Sequence, residues 1–423
     1  MQHGNWIGGE RRAAADGDRF VLRAPGRSKA LKSYPRSRTP DLLAALAAMG
    51  AGGWSRFSEE DRRGRIRRAM RAFSAEADPH GTTAAVLGWS AEELTANVRP
   101  ALTSAALGSD PPPWEAAGPI LCAPHWSELA GGLVRALGVL LSGRAVCLLV
   151  PTPLSGLGDR LAECLIAAGI PGDGWALLHD DGGPGQGAQR CGLALAAAGA
   201  FAGVCLSGPD EAPNLSRATG RTGGREIPVG AVGAVGMGSI GSERAPWVAS
   251  GAQLPFGTGV VEREPAAVQF HRLSRDEAVV TVDEDPERAA VEIVERSLGR
   301  SVLGGQLPGQ VGLATCHPLL FSRFTAAVLT ALEGEPAERP GALYPDPDHR
   351  GELERLRDLG LDEGAVLIHE RPVQSGSGGA AGSPSGARGG SLGRLVFTNV
   401  EPEMRIAGVT GPVPLLLLMR GEA

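Results

Sequence analysis

Two kinds of hydrophobic pattern alternate along this chain. Short, almost wholly apolar runs bounded by glycine or proline read as strands covered on both faces, and longer stretches with apolar residues every three to four positions read as amphipathic helices. The first kind is clearest at Gly118–Pro124 and at Gly143–Pro151, with the run Ala-Val-Cys-Leu-Leu-Val at its centre. An alanine- and leucine-rich helix separates them, and a helix over Leu157–Ala168 follows, ended by Gly169-Ile170-Pro171-Gly172. A glycine stop followed by proline is the usual end of a helix. Upstream, Asn5–Glu10 and Phe20–Leu22 read as short strands. A helix is predicted from Thr39 to Met49 and another over Glu59–Phe73, with Trp54 between them. Strand, helix, strand, helix in this order builds an α/β, doubly wound sheet. Further on, Val279–Val282 reads as a strand before the acidic turn Asp283-Glu284-Asp285, and Leu395–Val400 and the apolar run Leu415–Met419 read as late strands.

Composition sharpens the organisation. The 62 glycines and 32 prolines among 423 residues predict many turns, and they concentrate in two places. Residues 209–265 are rich in Gly, Pro and Arg and read as an insertion, while 374–391 is a Gly/Ser/Ala tract that reads as a flexible loop. The boundary between two domains is placed at 270/271. The net charge of −6 gives no global attraction to nucleic acid or anionic membrane, and 4% aromatic content argues against base-stacking platforms. Arg62, Arg63, Arg65, Arg67, Arg68 and Arg71 share a helix with the apolar stripe Ile66, Met70 and Phe73, so they read as a solvated face. No apolar run approaches the roughly 20 residues that a bilayer requires. Met1–Asn5 lacks the basic start of a signal peptide, and the six cysteines are scattered without a zinc or disulfide spacing. A cytoplasmic location with reduced thiols is the expectation.

Leu303-Gly304-Gly305-Gln306-Leu307-Pro308-Gly309 resembles the Gly-Gln-x-Cys nucleophile loop of the aldehyde dehydrogenases, with Pro308 in the place of the cysteine. The ordered landmarks around it are similar to that family too. They run from Pro124-His125-Trp126 through Gly143–Pro151 and Gly169–Gly172 to the late strand at Leu395–Met404. The resemblance implies a Rossmann-type cofactor domain over 1–270 and a second α/β, catalytic-type domain over 271–423. It also implies a C-terminal end earlier than usual, which would leave a cavity wall and a sheet edge to be covered. The branch it fits best is the degenerate, family sixteen type.

The same resemblance implies lost chemistry. A thiolate attacks the aldehyde carbon in this family, and Pro308 has neither thiol nor N–H. The oxyanion-binding asparagine position falls on Trp126, whose indole has no amide. The general-base glutamate position falls on Arg272, which cannot accept a proton from water. The ribose-binding lysine position falls on Leu149 or Val150, and no carboxylate stands near Gly408-Val409-Thr410 to hold the other ribose. Leu206-Ser207-Gly208-Pro209 falls at the family's cofactor turn, whose later glycine is Pro213.

Two features point elsewhere. Cys316 precedes His317 and is a candidate relocated nucleophile, although neighbours in a strand face opposite sides and a buried apolar thiol is the plainer reading. Gly236-Met237-Gly238-Ser239-Ile240-Gly241, with Glu262 some twenty residues on, matches a dinucleotide fingerprint, but Pro246 and Gly251 spoil the helix it needs. Gly236, Gly238, Gly241 and Glu262 are therefore weak cofactor-binding candidates. The resulting expectation is a silent homologue acting as scaffold or regulatory partner of a complete aldehyde dehydrogenase, or self-associating, with no cofactor, no metal, no nucleic acid and no membrane. The alternatives are an active NAD(P)-dependent aldehyde dehydrogenase and a nucleotide sensor.

Overall fold

The computed structural model describes residues 3–24, 29–50, 53–104, 118–180, 188–197, 199–208, 267–272, 275–299, 303, 305–334, 349–371, 393–409, 411 and 413–421. The fingerprint glycines Gly236, Gly238 and Gly241, with Glu262, Pro213 and the tract 374–391, lie outside the described residues. The chain divides into two compact units. One comprises residues 1–22, 31–83 and 94–272, the other 23–30, 84–93 and 273–423.

In the first unit, the described strands form a seven-stranded sheet. They are β1 (Asn5–Ile7), β2 (Glu10–Arg12), β5 (Ile120–Ala123), β6 (Val146–Pro151), β7 (Trp175–Asp180), β8 (Gly203–Gly208) and β9 (Ala267–Arg272), in the order β2-β1-β7-β6-β5-β8-β9. A separate pair, β3 (Arg19–Arg23) and β4 (Ala30–Pro35), lies apart from that sheet. Strands β5 to β9 are parallel, and β1 adds antiparallel to β7. From β5 the chain winds outward through β6 and β7, then crosses back to β8 and β9 on the other side. The order therefore reverses between β5 and β8, which is the topological switch point of a doubly wound sheet.

Helices cover both faces, which is why β6 is buried from Val146 to Val150 and carries no polar alternation. On one face α1 (Thr39–Met49) and α7 (Ala188–Ala197) bury Leu42, Leu46, Leu193 and Leu195 against Leu121, Cys147, Leu149 and Leu178. On the other, α5 (Ala130–Leu141) and α6 (Ser155–Ala167) lie on the sheet with α2 (Glu59–Ala75) against them. The short helices α3 (Thr82–Leu87) and α4 (Ala91–Ser104) follow α2 in the chain. Glycine sets how closely the first of these layers approaches. A Cβ on Gly158 would meet both methyls of Val150 at 2.9 Å, so α6 reaches β6 only because that atom is missing.

The arginines of α2 correct the expectation of a merely solvated face. Arg62 donates to Leu141 O at 3.1 Å, Arg68 to Ala168 O at 3.3 Å, and Arg65 to Gly169 O, while Arg63 pairs with Glu59. Three of them thus satisfy carbonyls at the ends of α5 and α6, which those helices leave open. At the chain start, Asp159 of α6 fastens the N-terminal segment. Its carboxylate accepts from Trp6 Nε1 at 3.2 Å, meets His3 Nδ1, and lies 3.5 Å from His179 Nε2. Burial alone would push this carboxyl up, but hydrogen bonds from His179 and His3 outweigh it and hold the group well below the usual carboxylate range.

The second unit carries a five-stranded sheet in the order β10-β11-β14-β13-β12. The strands are β10 (Asp276–Val280), β11 (Val311–Cys316), β12 (Val366–Arg371), β13 (Arg394–Val400) and β14 (Leu415–Arg420). All neighbours are parallel except β12 with β13. The strand expected at Val279–Val282 lies earlier, at Asp276–Val280, because Thr281–Asp285 is already the turn into α8 (Pro286–Leu298), where Asp285 caps the helix by accepting from Glu287 N. Helices α8 and α9 (Phe321–Gly334) cover one face, through Ile293, Val294, Phe324 and Val328 on Leu416 and Leu418. Helix α10 (His349–Asp362) covers the other, through Leu353 and Leu356 with Leu415 and Leu417. The run Leu415–Met419 is a strand, as its apolar pattern predicts, and is buried over Leu415–Leu418. It is the central strand, held between β11 and β13 of its own chain.

Candidate functional site

In a doubly wound sheet, ligands bind outside the carboxyl ends of the strands at the switch point, here between β5 and β8. Strand β5 ends at Ala123, and Pro124 and His125 lead into a single 3₁₀ turn, Trp126–Glu128. Leu129 then takes a positive φ of 50° and α5 begins at Ala130. The turn packs tightly on the helix, since a Cβ on Gly132 would sit 2.1 Å from Pro124 Cβ.

Four polar side chains meet at this point. Ser207, at the end of β8, accepts from His125 N at 2.8 Å and donates its hydroxyl to Glu128 Oε2. Arg135, one and a half turns into α5, donates to the same carboxylate oxygen. Burial works against the Arg135 charge, yet the Glu128 carboxylate beside it keeps the guanidinium above its ordinary value. His125 Nδ1 lies 2.7 Å from the Ser127 hydroxyl, and its ring tilts against Trp126 with centroids 5.7 Å apart. Trp126 is buried, at 8% exposure. Glu128 Oε2 thus lies by the first turn of α5, 3.1 Å from where a Cβ on Gly132 would stand, with its charge paired by Arg135.

Val150, near the end of β6, is buried and touches α6; Leu149 faces the opposite core. Neither offers a hydrogen-bonding group. Arg272 ends β9, in register with Gly208 of β8.

In the second unit, residues 305–310 form tight turns leading into β11. Gly305 has φ 96°, and a Cβ there would come within 2.7 Å of Pro414 Cα, so only glycine fits. Gln306 is buried and donates to Leu303 O at 3.0 Å, and Gln310 donates to Val413 O at 2.7 Å. Pro308 is half-buried at the turn between them. Cys316 lies at the far end of β11, a six-residue strand spanning roughly 17–20 Å. Its sulfur faces His317 O at 3.6 Å, while His317 Nδ1 accepts from Leu319 N, so thiol and imidazole each serve the backbone. Burial pushes the Cys316 thiol up to about 11. The idea of a relocated nucleophile therefore fails on position and on ionisation. Two further thiols are likewise pushed up. The hydrogen bond with Cys205, then burial, raises Cys122 well above its ordinary value, and burial takes Cys147 up to about 12.

Near Gly408–Val413, the side chain of Arg275 takes the backbone acceptors. It donates to Val409 O and to Leu415 O, both at 2.7 Å. Burial lowers its pKa to about 10. Gly312 makes the room, since a Cβ there would stand 2.3 Å from Arg275 Nε. Sequence reasoning assigned no role to Arg275, Glu128 or Arg135. A charged residue in the short turn between a buried strand and the following helix, as at Glu128, is the signal that points to the last two. Among the described residues, no group of three or more His, Cys, Asp or Glu could hold a metal ion.

Comparison of the sequence with family models and with curated proteins finds no match. Comparison of the fold with solved structures finds many. The aldehyde dehydrogenase KauB from Pseudomonas aeruginosa superposes with a TM-score of 0.68 at 16% identity, over 100% of this chain and 80% of its own. The indole-3-acetaldehyde dehydrogenase AldA of P. syringae, solved with NAD+, gives 0.67 at 16% over 100% and 80%. An NAD-dependent aldehyde dehydrogenase from Sinorhizobium meliloti gives 0.66 at 18% over 100% and 78%. The chain has the α/β fold of the aldehyde dehydrogenases, with a Rossmann-like parallel sheet. Among the described residues, no helix is long and apolar enough to cross a membrane.

Proposed function

We propose that this protein is a degenerate, catalytically silent member of the aldehyde dehydrogenase superfamily, of the family sixteen type, acting as scaffold or regulatory partner of a complete aldehyde dehydrogenase in the cytoplasm. The observation that carries the reading is Pro308. In the stretch that resembles the family's nucleophile loop, Gly305, Gln306 and Gln310 hold the turn, and the residue at the cysteine position has no thiol. Arg272 at the base position and Trp126 at the oxyanion position support the same conclusion, because neither can do the work of the glutamate or the amide.

The residues present suit a dinucleotide poorly. Glu128 sets a carboxylate over α5, an aliphatic side chain stands where a ribose-binding lysine belongs, and Arg275 occupies the backbone acceptors where the second ribose contact belongs. The rival reading, an NAD(P)-dependent aldehyde oxidation, draws on neighbours such as the P. syringae enzyme solved with NAD+.

The test is direct. The purified chain is expected to give no NADH or NADPH with aliphatic or aromatic aldehydes, and to co-purify with, and alter the kinetics of, a complete aldehyde dehydrogenase from the same genome. Turnover well above a heat-killed control, unaffected by Cys316→Ala, would establish the rival reading.

A further inference from the structure

Two cysteines on neighbouring strands meet at the floor of the switch-point crevice. Strands β5 and β8 are parallel, with Cys122 in register with Cys205. Side chains alternate along a strand, and Leu121, Ala123, Val204 and Leu206 all belong to the core under α1 and α7. Cys122 and Cys205 therefore both point to the opposite face, towards α5, where the two thiols share a hydrogen bond. The guanidinium of Arg135, from α5, lies close enough to both sulfurs for its charge to act on each. Ser207, which donates to Glu128, is the next residue of β8 on that face, so the thiol pair sits one step below the Ser207–Glu128–Arg135 network. Cys147, on β6, packs with Leu121 and Leu149 on the other face, and the sheet separates it from the pair.

We propose that Cys122 and Cys205 are a redox modification site, a dithiol that hydrogen peroxide converts reversibly to a disulfide joining β5 to β8. One cysteine, as thiolate, attacks a peroxide oxygen; the S–O bond forms, the O–O bond breaks, and the departing hydroxide takes up a proton to leave as water. The second cysteine then attacks the sulfur of that sulfenic acid; the S–S bond forms, the S–O bond breaks, and the oxygen leaves as water with the second thiol's proton. Both thiols are oxidised, and one peroxide is reduced to water.

Sheet geometry allows the bond and makes it labile. Neighbouring strands lie about 4.7–4.9 Å apart, which sets the Cα atoms of residues in register within the roughly 4.4–6.8 Å of ordinary disulfides and leaves the Cβ atoms slightly wide of the usual range. A disulfide closed there carries strain, and strained disulfides are the ones that reductants reopen. Cys122 is 2% exposed and Cys205 6%, so the site admits a small oxidant and excludes a bulky one. Burial and the shared hydrogen bond oppose ionisation of Cys122, while the Arg135 charge favours it, so oxidation is slow.

Peptide mapping of the full chain tests this. The reduced protein is treated with hydrogen peroxide, the peroxide is destroyed with catalase, and the chain is unfolded, alkylated and digested for mass spectrometry. The expected result is a peptide pair joined through Cys122 and Cys205, with two of the six thiols lost and both recovered on adding dithiothreitol. Cys205→Ser and, separately, Cys122→Ser should each abolish the linked pair, whereas Cys147→Ser should leave it unchanged. Circular dichroism before and after oxidation shows whether the fold is kept. Recovery of Cys122 and Cys205 as free thiols, while glutathione in the same tube is oxidised, would overturn the proposal. So would conversion of either to a sulfinic acid without linkage, preferential linkage of other cysteines, or a link formed only in chains that have lost their fold.

Discussion

Replacing Glu128 by alanine tests the network at the switch point. The carboxylate is 6% exposed and accepts from Arg135, which is 27% exposed, and from the Ser207 hydroxyl. Breaking a fully buried pair by removing one partner costs about 3–5 kcal/mol. Because a quarter of Arg135 reaches solvent, its share falls to about 2 kcal/mol, and the stranded Ser207 donor adds about 1 kcal/mol. A total of about 3 kcal/mol should lower the melting temperature of the first unit by roughly 6–12 °C, at 2–4 °C per kcal/mol for a unit of this size. Trp6, Trp54, Trp126 and Trp175 lie in that unit and Trp89 in the other, so tryptophan fluorescence in urea follows its unfolding once Trp89 is replaced by phenylalanine. The decisive form is a cycle with Arg135→Met. Each single change leaves an unpaired charge or donor, so the double variant should cost less than the sum by about 1.5 kcal/mol or more. Additive losses, within about 0.5 kcal/mol, would show that Glu128 and Arg135 do not depend on each other and would remove the reason for regarding the crevice as filled.

The double variant Pro308→Cys/Arg272→Glu returns a thiol and a base but leaves Trp126 in place of an amide donor, whose loss alone costs about 10²–10³ in rate. At most traces of esterase activity are expected, and robust NAD-dependent oxidation in a stopped assay would contradict the account of the cofactor site. Asp159→Asn should destabilise the first unit by about 2–3 kcal/mol at pH 7, measured by urea unfolding. The folded-state pKa of Asp159 is depressed, so its stabilisation is complete above the ordinary carboxylate value and is lost as pH falls through the folded one. The deficit of the variant should therefore shrink below about pH 4, and a deficit that grows in acid would refute the sign.

The parts legible in the sequence were those written into local pattern. Val146–Val150 could only be a strand covered on both faces, and the glycines around Gln306 marked a turn before a strand. What could not be read was whatever depends on which strands become neighbours. Leu415–Met419 reads as a strand, but only the second sheet shows that β11 and β13 are its neighbours. Ser207 and Glu128 are 79 residues apart and meet only because the chain crosses back to set β8 beside β5. The arginines of α2 looked solvated because their acceptors are carbonyls at the ends of two other helices, which leave no side-chain signal.

Local contacts explain how the turn before β11 accommodates a proline at position 308. Gly305, Gln306 and Gln310 fix the turn before β11 by a close backbone approach and two amide hydrogen bonds, none of which involves the residue at position 308. A proline there, with φ already fixed and no N–H to satisfy, stiffens the turn at no cost to those bonds. At the opposite end of the segment, Arg275 fills the space left by Gly312 and satisfies two carbonyls. Putting a side chain on Gly312 alone would collide with the guanidinium, whereas removing Arg275 alone would strand the carbonyls of Val409 and Leu415. The two positions therefore bind each other through packing. On the proposed scaffold reading, a surface that positions a partner needs the turn and the sheet to stay where they are, and it makes no demand on a thiol.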